Sequence, residues 1–306
     1  EVFEVQQFES AQLSRGSGRR GQKGGHWSAC THLGMFKMFG LNTAPLLMRF
    51  LASLQPQEAL EIGCGLGTTA DYLARFSSGG SQVSCVEPEP MLAEVFAQRA
   101  FPMRAAQLSV DLFAQEDTRP EACFNALLTR RFPLVYSFEV AEHIPPHRLP
   151  RLIRLVAAAT SRLLVFSAAR PGQRGTGHYS GSLLSKRQWI DKFTRAGLVL
   201  LPKLSAFVSQ VAFPERAADI SPNVFVMRAQ MAADINEEAE VTRAHQLLRR
   251  QAFDPAINMT PPVWSSRHAR PVTDWFKRQT AARPLQRTFE ADHWPALVEV
   301  GKHVRC

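Results

Sequence analysis

From Glu58 to Ala229 short apolar runs alternate with amphipathic segments, and that rhythm leaves very few folds open to the chain. "EALEIG", "SQVSCVEP", "AAQLSV", "FPLVYSFEV" and "SRLLVFSAA" have the length and composition of strands. Between them "TTADYLARF", "PMLAEVFAQRA", "PEACFNALLTR" and "HRLPRLIRLVAAAT" carry apolar residues at helical spacing. A further helix, "SKRQWIDKFTRAG", precedes two apolar runs, "LVLLPKLS" and "NVFVMRAQ", that read as consecutive strands. Strict β/α alternation requires parallel strands linked by crossover helices. The last two runs, with no helix expected between them, predict an antiparallel pair closing one sheet edge. The expected class is α/β, a doubly wound, mostly parallel sheet of seven strands.

The flanks break this rhythm. Residues 1–25 end in "SRGSGRRGQKGG", which cannot bury apolar area and reads as a flexible basic arm. Between His26 and Leu54 the apolar spacing predicts two helices, broken around Gly40 and Asn42, as an N-terminal cap on a domain over 26–231. Residues 232–306 are expected to be a helical and irregular extension. It opens with one amphipathic helix, "ADINEEAEVTRAHQLLRRQAF", and continues through Trp264, Trp275, Phe276, Phe289 and Trp294. Its histidines (His245, His268, His293 and His303) are scattered, with no metal-ligand or triad spacing.

No run reaches the roughly 18 apolar residues of a membrane span, so a soluble protein is expected. The best candidate, "LIRLVAAATSRLLVF", is cut by Arg154 and Arg162. The cysteines (Cys30, Cys64, Cys85, Cys123 and Cys306) are odd in number and form no CxxC or Cys/His cluster. Neither a disulfide framework nor a metal site is expected, and a reducing compartment follows, mitochondrial matrix ahead of cytoplasm. The chain opens on Glu1, which fits a removed presequence or a missing start. The net charge of +9 is local: from Arg148 to Lys203 the only acid is Asp191. There Arg148, Arg151 and Arg154 recur at three-residue spacing, a stripe that suits phosphate or an acidic partner.

The first strand–helix junction, "ALEIGCGLGTTADYLA", carries the chemistry. In a doubly wound sheet this turn lies under the ligand. Gly63, Gly65 and Gly67 allow the backbone positive φ and direct contact with a bound group. A dinucleotide loop would be G-x-G-x-x-G, but Thr68 stands where its third glycine belongs. Glu61 would repel a diphosphate and suits a ligand with an ammonium group. Glu87 ends the next strand, placed to accept both hydroxyls of a ribose, and Asp111 follows the third strand within reach of an adenine edge.

On "ALEIGCGLGTT", "CVEPEP", "VDLF" and "LVYSFEVAEHIP" the chain resembles the class I S-adenosylmethionine-dependent methyltransferases over roughly residues 50–230. The resemblance implies a Rossmann-like methyltransferase fold with S-adenosyl-L-methionine as cofactor. Glu61, Gly63, Gly65 and Gly67 would cradle its methionine part, Glu87 the ribose and Asp111 the adenine. "SFEVAEHIP" is similar to the post-fourth-strand segment of the small-molecule subgroup. There Ser137, Phe138 and Glu139 would line the cofactor's reactive end, with Glu142 and His143 beginning the next helix.

The acceptor is less constrained. Ser137-Phe138-Glu139-Val140 replaces the Asn/Asp-Pro-Pro-aromatic motif of enzymes that methylate exocyclic amines, and this favours a small-molecule acceptor. Methyl transfer needs alignment and a base, and the candidates are His143 and His178. His178 ends "GQRGTGH", which is similar to a Gly-Gln-x-Gly-x-Gly-His element of relatives where Asn follows; here Tyr179 and Ser180 follow. An enzyme is the expectation. Two alternatives remain open: an RNA methyltransferase using the 148–203 basic stretch, and a methyltransferase-like accessory subunit of a larger complex, docked through arm and tail.

Overall fold

The computed structural model describes residues 44–65, 67–77, 81–87, 105–108, 130–173, 175, 177–211 and 222–252. Helix α1 (Ala44–Ser53) precedes β1 (Glu58–Ile62), α2 (Thr68–Phe76), β2 (Gln82–Val86), β3 (Ala105–Leu108) and β4 (Phe132–Phe138). Then come α3 (Leu149–Ala159), β5 (Thr160–Ser167), α4 (Lys186–Arg195), β6 (Leu198–Leu200), α5 (Pro202–Val211), β7 (Phe225–Ala229) and α6 (Glu237–Ala252). The strands form one sheet in the order β3-β2-β1-β4-β5-β7-β6. β3, β2, β1, β4 and β5 run parallel, and β7 is antiparallel to both β5 and β6. Chain order reverses between β1 and β4, so the switch point, where a doubly wound sheet takes its ligand, lies at the carboxyl ends of those two strands.

Period-two alternation sorts the strands onto two faces. Ala59, Leu134, Leu163, Val165 and Val226 pack against α1, α2, α5 and α6. Leu60, Ile62, Val135, Leu164, Phe166, Phe225 and Met227 pack against α3 and α4. On the second face the Phe166 ring meets Trp189, Phe193 and Phe225 at centroid distances of 5.1, 5.0 and 5.5 Å. Each such aromatic contributes about 1.5–3 kcal/mol on full burial. The cluster fixes α4 against β5, and so anchors both ends of the loop between them.

One strand differs from its sequence reading. Residues 198–205, expected as a strand, divide into the three-residue β6 and the start of helix α5. Pro202 supplies helical φ at the first position, where its missing N–H costs nothing. Leu204, Phe207 and Val208 then fall on the buried side. The antiparallel edge exists, but β7 lies inside it, between β5 and β6.

Of the two expected N-terminal helices the second is α1, and the first lies outside the described residues, as do 1–25, the helices expected at 90–100 and (but for Arg130) 120–130, and 254–306. The helix expected after Met231 is α6. It docks through buried Ala244, through the ion pair of Arg162 with Glu240 at 2.8 Å, and through Glu237, which accepts the Leu204 N–H at 2.9 Å. That last bond caps the first turn of α5.

Candidate functional site

β1 ends in a loop whose three glycines, Gly63, Gly65 and Gly67, all have positive φ, at 75°, 53° and 69°. Gly63 is required twice over, because a Cβ there would enter the Val140 side chain. Gly67 then caps α2, so the loop presents peptide groups at a helix N-terminus. Glu61 lies beneath, 4% exposed, hydrogen-bonded by the Thr69 hydroxyl and by Tyr136 Oη at 3.1 Å. Tyr136 is its cross-strand neighbour in the β1–β4 register. Burial pushes the Glu61 carboxyl up to about 8, opposed by the bonds from Thr69 and Tyr136. Glu87, also buried, accepts the Gly65 N–H through Oε2 at 2.8 Å. The two acids and the bare loop thus meet at the switch point.

Cys64, inside this loop, forms a disulfide with Cys85 of β2, Cα atoms 5.7 Å apart. This corrects the expectation of no disulfide. Parallel pairing aligns Ile62 with Val86, which brings the loop residue two places on over the neighbouring strand. A separation of 21 residues carries no such information in the sequence alone.

β4 and β5 deliver the other half of the crevice. Ser137 is buried and its hydroxyl donates to the Ile62 carbonyl at 3.0 Å, tying β4 to β1. Phe138 packs beside Tyr136. Glu139 leaves the strand with φ of 54°, strained for a side chain with a Cβ. Its carboxylate accepts from Ser167 Oγ at 2.8 Å and from Gln173 Nε2 at 2.9 Å, and Gln173 is held in turn by Asn223 at 3.0 Å.

Glu142 and His143 lie on a single 3-10 turn, Ala141–His143, not on the helix expected there; α3 begins only at Leu149. Val140, the residue packed over Gly63, opens that turn.

The loop after β5 folds back on this turn. The Tyr179 N–H donates to the Glu142 carbonyl at 2.9 Å, and Ser182 Oγ donates to the Ile144 carbonyl. His143 and His178, expected as bases, come together with ring centroids 5.0 Å apart, edge to face. Glu142 joins them, its Oε1 3.9 Å from His143 Nε2. Burial, and then the charge of Glu139, raise the Glu142 carboxyl well above the usual range. Burial lowers the His178 imidazole, against a backbone hydrogen bond with Gln173.

Asp111 lies outside the described residues. Of the arginine stripe, Arg148 ends the 3-10 turn that leads into α3 and is its N-cap, Arg151 and Arg154 lie on α3, and Arg154 joins Arg131 and Arg195 around a groove of about 630 Å³. That groove opens at the amino ends of β4 and β5, opposite the crevice. Sequence reasoning missed Thr69 and Tyr136, which hold Glu61, and Ser167, Gln173 and Asn223, which hold Glu139. Thr69 had a signal, as a hydroxyl two residues past the last glycine; the others meet only in the folded sheet. Among the described residues no helix is long and apolar enough to cross a membrane.

Solved structures resemble the fold at low identity. Magnesium protoporphyrin IX methyltransferase from Synechocystis, with bound S-adenosylhomocysteine, is 13% identical with a TM-score of 0.44, over 73% of this chain and 94% of that one. The 1,6-didemethyltoxoflavin-N1-methyltransferase of Burkholderia thailandensis is 13% identical with a TM-score of 0.43, over 64% and 80%. No curated protein sequence matches the chain. The family described as "Methyltransferase domain" matches residues 37–201, more than half of the chain's 306 residues and the whole span from α1 to β6. The sheet order, the glycine loop after β1 and this match together place the chain in the family of S-adenosylmethionine-dependent methyltransferases.

Proposed function

We propose that this protein transfers a methyl group from S-adenosylmethionine to a small-molecule acceptor. The observation that carries the reading is the meeting of Glu61, Glu87 and the positive-φ glycine loop at the switch point, directly beside a second cluster of polar side chains. Buried carboxyls and bare peptide groups fit a ligand with an ammonium and vicinal hydroxyls, and disfavour a diphosphate. The cofactor supplies an electrophilic methyl group on a sulfonium.

On this reading Gly63, Gly65, Gly67 and Glu61 hold the methionine part. Glu87 holds the ribose, Asp111 the adenine, and Ser137, Phe138 and Glu139 the reactive end. His143 and His178 face the acceptor. His178, whose lowered pKa keeps it neutral at pH 7, suits removal of the acceptor's proton. The chain's contribution is alignment and exclusion of water by the folded-back loop. The protein divides into a basic arm (1–25), the catalytic domain (26–231) and an extension (232–306) available to protein partners.

Methyl-labelled cofactor, incubated with protein and a cell extract split into small-molecule, protein and RNA fractions, tests the reading. Label in the small-molecule fraction that disappears with Gly65→Val is expected. Label confined to RNA, and dependent on Arg148, Arg151 and Arg154, would replace this acceptor class. Cofactor binding with no labelled fraction would favour an accessory subunit.

A further inference from the structure

The loops after β4 and β5 hold more donor atoms than a proton relay uses. Glu142, His143 and His178 each offer one ligand atom, and these atoms all lie within 4.8 Å of one another. Ligands of one ion at about 2.1 Å stand roughly 3–3.5 Å apart, so each group needs to close by less than about 1 Å.

Two of these donors have a buried polar atom without a partner. Glu142 is 1% exposed, yet its Oε2 has no hydrogen bond among the described residues, and neither does His178 Nδ1. Buried polar atoms are almost always satisfied, so two unpaired ones on residues whose donor atoms lie this close together fit a ligand held between them. The third donor is already oriented. His143 Nδ1 lies 3.2 Å from the Gly177 carbonyl, and a proton donated there leaves the Nε2 lone pair facing Glu142. A backbone carbonyl behind a ligating imidazole is the usual outer support of a metal-bound histidine.

The backbone makes room for the group. A Cβ on Gly175 would overlap the His178 ring, so glycine at that position is what seats the imidazole. Charge agrees with geometry: Glu139 lies close enough to Glu142 to oppose its ionisation, and among the described residues the one ion pair of Glu142 is with His143. A cation between the loops would supply the missing positive charge.

We propose that Glu142, His143 and His178 bind a divalent first-row transition-metal ion. Two imidazoles and a carboxylate suit zinc, manganese, iron or cobalt, and three protein ligands leave positions open, the mark of a site that also takes a substrate oxygen. The site goes beyond the methyl-transfer reading and does not depend on it, since every ligand belongs to the protein. Where both hold, an acceptor oxygen on the ion would lose its proton more readily, and the imidazoles would act as ligands in place of bases.

The test uses the full chain stripped by a chelator and titrated with Mn²⁺, followed by electron paramagnetic resonance, with Zn²⁺ as competitor. One saturable Mn²⁺ per chain is expected, displaced by Zn²⁺ and carrying imidazole nitrogen couplings in pulsed spectra. Glu142→Gln and His178→Gln should each weaken it at least 10-fold, with an unchanged melting temperature as the check on folding. The nitrogen couplings are read on the unaltered protein, so a variant that fails to fold does not shelter the proposal. No saturable site, bound Mn²⁺ without nitrogen coupling, or folded variants of undiminished affinity would each overturn it. Metal uptake by a chain that never binds S-adenosylmethionine would support the metal site while sinking the methyl-transfer reading.

Discussion

Around β1 the crevice is built from backbone: three glycines with positive φ expose their peptide groups, and the acids beneath them are bonded to the loop and its flanking elements. Around β4 and β5 it is built from side chains, with Glu142 Oε2 and His178 Nδ1 buried and unpaired among the described residues. The first half is complete without a ligand and differs from other loops only in shape. The second leaves those two polar atoms unpaired among the described residues. On the proposed reading the first half would receive the same molecule in every turnover and can be fixed in backbone, whereas the second would meet a particular acceptor and be set by side chains on loops.

The sharpest way to break this contrast is His178→Gln. If the acceptor half does the chemistry, methyl transfer should fall by about 10²-fold or more while cofactor affinity holds, read as kcat against Kd. In the unaltered protein the acid limb of the rate profile should lie below the ordinary imidazole value of about 6.5, because burial lowers His178. Equal losses in affinity and rate would merge the two halves into one.

Gly63→Ala tests the backbone half. Positive φ and the clash with Val140 together should cost about 2 kcal/mol or more, seen as a lower melting temperature and weaker cofactor binding. Adding Val140→Ala should restore part of the loss, since it removes the clash and leaves the strain. Glu87→Gln comes next. It removes a charged acceptor from the Gly65 N–H and should weaken cofactor binding by about 1.5 kcal/mol in calorimetry, with transfer from saturating cofactor little changed.

The smallest effect concerns Glu61. Its folded pKa of about 8 lies above the unfolded value, so the folded state holds the extra proton. That contribution to stability is fully present below the unfolded value and is lost as pH rises through about 8. Glu61→Gln should flatten this part of the stability profile. A cofactor ammonium against Glu61 should also expel its proton, so binding heats at pH 7 should vary with the buffer's ionisation enthalpy, and the variant should abolish that variation.

The glycines and acids of the backbone half were legible in the sequence because they are local, whereas Tyr136 and the Cys64–Cys85 disulfide, which join this half across strands, were not. Glu61 stands at a fixed offset from the glycines, and Glu87 ends the next strand. The side-chain half was legible only in pieces. His143 and His178 stood out singly, but their meeting depends on bonds from Tyr179 and Ser182 to the 3-10 turn, on the seat at Gly175, and on the relay through Gln173. No spacing rule encodes contacts between loops from separate strands. The run at 198–205 misled for a simpler reason: a short apolar stretch does not distinguish strand from helix, and Pro202 was the signal that did.

The insertion of β7 between β5 and β6 governs where this protein can be cut. The matched family region stops at 201, but a chain trimmed there would leave β6 without its hydrogen-bonding neighbour and expose the whole edge of β5. It would also remove Asn223, the far end of the relay that steadies Glu139 across 84 residues of sequence. The smallest autonomous catalytic fragment must therefore run through Ala229, and trimming experiments that respect only sequence similarity would yield a lesion at the crevice from a deletion at the rim.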